Sequence, residues 1–100
     1  MKDLYLVICR DQSNSKQARA ASLQDHLKHI EHEIDKISLA AALKNENDEI
    51  VGSVMVVAAD SSYDARIFVE KDPFFVANVW KHMEVARLGR TVGTWVDGTR

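Results

Sequence analysis

The sequence is poor in most of the residues that mark a specialised class of protein. It has a single cysteine, Cys9, so no internal disulfide framework and no thiolate metal site is expected. One proline and four glycines in 100 residues exclude collagen-like and low-complexity chains. There is no glycine-rich phosphate loop, and nothing in the chain calls for a cofactor. No basic run appears, and Lys+Arg 13 against Asp+Glu 15 leaves a formal charge of −2. Neutralising phosphates takes clustered Lys and Arg, so a nucleic-acid partner is not expected. No segment approaches the ~20 apolar residues of a membrane span. The opening MKDLYLVICR carries too short an apolar stretch for a signal peptide. A reducing cytoplasm suits the lone thiol.

What is present is ordinary globular material, 46% hydrophobic and 28% charged. It is enough for one domain over residues 1–100, with its core in about 4–88 and a tail in 89–100. A chain of this size buries only roughly two-thirds of its unfolded surface, so association is a natural supplement.

LYLVIC at 4–9 and IVGSVMVVA at 50–58 are apolar on both alternating faces and predict strands buried on two sides. SLAAAL at 38–43 predicts a short strand that pairs with the latter across the turn KNENDE. VWKHMEVA at 79–86 predicts a last strand, with Val79, Lys81, Met83 and Val85 on one face and Trp80, His82 and Glu84 on the other. Between the first two strands, Leu23, Leu27, Ile30, Ile34 and Ile37 recur at helical spacing, behind a capping box of Asn14 and Gln17. Asp60 or Ser61 caps a second helix through YDARIFVEK, and Asp72 followed by Pro73 starts one further turn. The tail holds an Asp97-Gly98 turn and an apolar Trp95-Val96.

The order β-α-β-β-α-β predicts an α+β ferredoxin-like sandwich, an antiparallel four-stranded sheet with both helices on one face. Two helices cover one side, yet two strands are apolar on both. A second copy, packed sheet to sheet, is the expected cover.

The quoted residues resemble the YciI-like (YCII-related) family of the dimeric α+β barrel superfamily over roughly residues 4–88. The marks are His26-Leu27 on the first helix, Gly52-Ser53 opening the third strand, and Asp72-Pro73-Phe74 before the last. The resemblance implies a dimer whose clefts hold an acid/base pair, falling here on His26 and Asp72. One branch of the family looks like dehydrochlorinases of chlorinated hydroxyaromatics; superfamily relatives include lactone isomerases and monooxygenases. Two positions depart from the pattern: Leu23 stands where an arginine is frequent, and AAAL at 40–43 where Ala-Gly-Pro is.

Each candidate also has a plainer role. His26, His29 and His32 spread around their helix, which is against zinc; His26 alone borders the stripe, as a boundary histidine or as a site residue. Asp72 can be a cap alone, or a cap that also orients His26 and fixes its tautomer. Phe74, Phe75 and Trp80 line a pocket or fill the core, and His82 sits beside them or on the surface. Arg19 and Glu33 share the flank of His26; a solvated charge ladder is favoured over a polar rim. Cys9 is expected to be an inert buried thiol, and Ser53 has no hydrolase partners. The expected function is acid/base elimination or isomerisation of a small cyclic or aromatic molecule without a cofactor. The alternative is a non-catalytic dimeric binding or interaction module.

Overall fold

The computed structural model describes residues 2–95. Its elements run β1 (Asp3–Asp11), α1 (Ser15–His32), a 3-10 turn (Ile34–Lys36), β2 (Ile37–Lys44), β3 (Ile50–Ala59), α2 (Ser62–Glu70), α3 (Pro73–Val76) and β4 (Trp80–Arg87). The strands form an antiparallel sheet in the order β2-β3-β1-β4, the α+β ferredoxin-like arrangement.

Period-two alternation divides the two central strands between the faces. Tyr5, Val7 and Cys9 of β1 and Met55, Val57 and Ala59 of β3 are buried, together with Ala65, Val69 and Phe74 from the helices. Their neighbours Leu4, Leu6, Ile8, Val54 and Val56 turn to the opposite face and are half-buried. The described part of the tail does not bury its own apolar side chains: Val92 and Trp95 are exposed. Val96 and the Asp97-Gly98 turn lie outside the described residues.

Local chemistry fixes the connections. Between β2 and β3 the Asn45 side chain accepts from the amides of Asn47 and Glu49 at 2.9 and 3.0 Å, closing the turn. Ser61 is the residue that caps α2, accepting from the Asp64 amide at 3.0 Å. Gly52 lets β3 approach β1: a Cβ there would overlap the carbonyl oxygen of Cys9.

Three expectations are corrected. Asn14 precedes α1 but makes no side-chain cap, so the capping box does not form. The apolar stripe of α1 does not press onto the sheet: Leu23, Leu27 and Ile34 are 42%, 50% and 54% exposed, and only Ala18 and Ile30 reach the core from that helix. Helical period tells which residues share a side, and here that side meets β2, whose alanines are too small to fill the space. In β4, Asp11 pairs with Trp80 and Arg10 with His82, so the ladder is interrupted at Lys81. This irregularity swings Trp80 into the core, while His82, opposite the exposed Arg10, stays on the open face of the sheet.

Candidate active site

Asp72 follows α2 with extended backbone geometry, and Pro73 behind it opens α3. Its Oδ1 accepts the Phe74 amide at 2.8 Å, the cap the sequence predicts. The side chain is 1% exposed. Both of its oxygens also lie at hydrogen-bond distance from Nδ1 of His26 on α1, at 2.8 and 3.0 Å. Cap and imidazole partner are thus one carboxylate. A carboxylate only accepts, so Nδ1 carries a proton, and in the neutral ring it is Nε2 that keeps its lone pair. Nε2 has no hydrogen bond among the described residues.

Phe74 holds the imidazole in place. The two rings stack with centroids 3.9 Å apart and planes 8° from parallel. Phe74 in turn meets Trp80 edge-on at 5.9 Å, and Trp80 donates its indole N–H to Ser53 Oγ at 3.2 Å.

Arg19, two turns before His26, overturns the charge-ladder expectation. Its Nε and Nη2 grip Asp11 at 2.6 and 2.9 Å, a two-pronged pair whose side chains are 13% and 4% exposed. Nη2 also reaches the Gly52 carbonyl and Ser53 Oγ, each at 2.9 Å, and the guanidinium lies 4.9 Å from the Phe74 ring centre. Ser15 adds a hydrogen bond to Asp11 at 2.8 Å. Glu33 belongs elsewhere, paired with Lys36 at 3.4 Å.

These groups border a cleft of about 280 Å³ between α1 and the β2–β3 edge of the sheet. Arg19, His26 and Ser53 give it a polar part, beside Phe74; the rest of its lining is apolar and includes Leu23, Leu27 and the β2 alanines. Trp80 sits behind Phe74 and does not line the cleft, Phe75 is 38% exposed outside it, and His82 is on the other side of the sheet. Sequence reasoning missed Asp11 and Ser15, and read Ser53 only as part of the Gly52-Ser53 mark, with no hydrolase partners. The available signal for Asp11 was a carboxylate ending an apolar strand, eight residues before Arg19.

Burial, and behind it the nearby carboxylates of Asp72 and Asp11, pushes the Cys9 thiol from 9.0 up to about 12. That keeps it protonated and unreactive at neutral pH. Among the described residues no group of three or more His, Cys, Asp or Glu side chains could hold a metal ion. No helix of the described residues is long and apolar enough to cross a membrane.

An open-faced α+β sandwich with a histidine–carboxylate pair at an apolar cleft defines the class. Residues 3–89 match the model of the YCII-related domain, and the chain belongs to that family. Among solved structures it is similar to 5-chloro-2-hydroxyhydroquinone dehydrochlorinase (TftG) from Burkholderia phenoliruptrix AC1100, in complex with 2,5-dihydroxybenzoquinone. That likeness has a TM-score of 0.77 and 26% identity, covering 88% of this chain and 95% of that one. MtbAldR matches with a TM-score of 0.52 and 17% identity, over 91% of this chain and 56% of that one; it speaks for the fold alone. No curated protein matches the chain.

Proposed function

We propose that the protein is an acid/base enzyme acting on a small cyclic or aromatic compound by elimination or isomerisation. The observation that carries this reading is the His26 Nδ1 contact to both oxygens of the buried Asp72 at the margin of an apolar cleft. Asp72 orients the ring, and Nε2 is the base. In an elimination from a halogenated hydroquinone, Nε2 first moves the proton of the hydroxyl beside the C–X bond onto the carbon that bears X, which closes one carbonyl and leaves that carbon tetrahedral. It then takes the proton of the opposite hydroxyl, which closes the second carbonyl and forms the ring double bond to that carbon. The displaced electrons leave with the departing group as its anion, for a net loss of HX. In an isomerisation the proton returns at another ring atom and nothing departs. The similar dehydrochlorinase, bound to a quinone, supports a ring-shaped substrate.

The apolar open face of the sheet supports pairing of two copies through Leu6, Ile8, Val54 and Val56. Light scattering at micromolar concentration is expected to give twice the monomer mass of 11.3 kDa; a stable monomer would remove the pairing.

The test of function is a turnover screen over halogenated hydroquinones and cyclic enones with wild type and His26→Ala. Loss of a positioned base is expected to lower kcat by about 100-fold or more while ligand affinity persists. Equal turnover by the two proteins removes His26 as the base. Binding without turnover by wild type would leave a ligand-binding module.

A further inference from the structure

The chargeable side chains at the cleft are two, Arg19 and His26, among the described residues. Each already has a carboxylate of its own. Asp11 grips Arg19 through two nitrogens, and Asp72 accepts from His26 Nδ1, and neither carboxylate is itself part of the cleft lining. A ligand carboxylate would therefore meet a guanidinium whose charge is already matched and an imidazole that is neutral when it serves as base, with two anions close by.

The other end of the cleft has no polar side chain to offer. Leu23 and Leu27 on α1 are half exposed, and so is Ile50, at 45%. Ala40 and Ala42 of β2 pair with Met55 and Ser53, which places them on the helix side of the sheet, yet both are exposed. Two apolar walls that face each other and are both solvated leave room for an apolar group. A carboxylate placed there would lose hydration and gain no donor.

We infer that the cleft selects uncharged rings bearing an apolar substituent, seated between Leu23, Leu27 and the β2 alanines, and rejects the same rings bearing a carboxylate. The inference rests on the acid/base reading of this cleft and names its substrate class.

The experiment compares two probes with the same ring and hydroxyls, chlorohydroquinone and 2,5-dihydroxybenzoate, by calorimetric titration at neutral pH. Wild type is expected to bind chlorohydroquinone at least about 10-fold tighter. Leu23→Arg adds an unmatched cation at the apolar wall and is expected to shift the ratio of the two Kd values by about 10-fold towards the benzoate. Leu23 is 42% exposed, so the variant should fold; Leu27→Lys provides the same shift should melting show otherwise. Tighter or equal binding of the benzoate by wild type overturns the inference. So does failure of both probes to bind, or a ratio unmoved by the added cation. Affinity does not depend on proton transfer, so a His26→Ala variant with full turnover would remove the acid/base reading while leaving this order of affinities standing. The reverse pattern would remove the substrate class alone.

Discussion

The two halves of the helical layer are held down by different forces. Over β1, β3 and β4, α2 sits close to the sheet, with Ala65 and Val69 fully buried, and its charged pair Arg66–Glu70 stays in solvent. Over the β2–β3 edge, α1 stands off, its leucines half exposed, and its principal neighbour is α3. What ties it down is polar: Arg19 to Asp11 and His26 to Asp72. Apolar contact closes one half. In the other, a buried ion pair and a histidine–carboxylate hydrogen bond border a gap, and a gap is what a ligand needs.

This contrast predicts a crossed order of stability losses, read by chemical denaturation. Arg19→Ala in the open half should cost the most, about 3–5 kcal/mol, because Asp11 is left buried without its cation. Val69→Ala in the closed half should cost about 2 kcal/mol from lost packing. Leu27→Ala, apolar but in the open half, should cost under about 1 kcal/mol, since half of its side chain is already in water. Arg66→Ala, charged but in the closed half, should cost about 0.5 kcal/mol or less. An Arg19→Ala variant as stable as Arg66→Ala would break the comparison, as would a Leu27→Ala loss equal to that of Val69→Ala.

The order of elements was legible because the strands announce themselves. LYLVIC and IVGSVMVVA are too apolar on both faces to be anything but central strands, and they are β1 and β3. Asp72 was legible as a cap from its place before Pro73, and His26 from its angle to the apolar stripe. Three things were not legible. The interruption at Lys81 depends on how β4 meets β1, which simple alternation cannot anticipate, and it decides where Trp80 and His82 go. The partner of Arg19 is Asp11, brought back by the loop before α1, whereas helical spacing offers Arg19 only partners on its own helix. The stripe of α1 looked like a core face because periodicity reports which residues share a side and is silent on what that side meets. Arg19, Leu23 and Leu27, three of the residues whose placement was misjudged, border the cleft. Local rules fail there because the fold leaves that space unfilled.

Asp72 shows how a structural need and a chemical one can share a residue. Its Oδ1 serves the Phe74 amide and, with Oδ2, the imidazole of His26, so the start of α3 and the orientation of that ring are set together. The same turn delivers Phe74 beneath that imidazole.

The central claim is that Asp72 holds the proton on one ring nitrogen and leaves the other free as a base. A two-bond proton–nitrogen correlation spectrum of the ¹⁵N-labelled protein, at a pH where the His26 ring is neutral, reads this directly. The account predicts a protonated Nδ1 and an unprotonated Nε2, with that preference lost in Asp72→Ala. A His26 ring with its proton on Nε2 in the wild-type protein would contradict it.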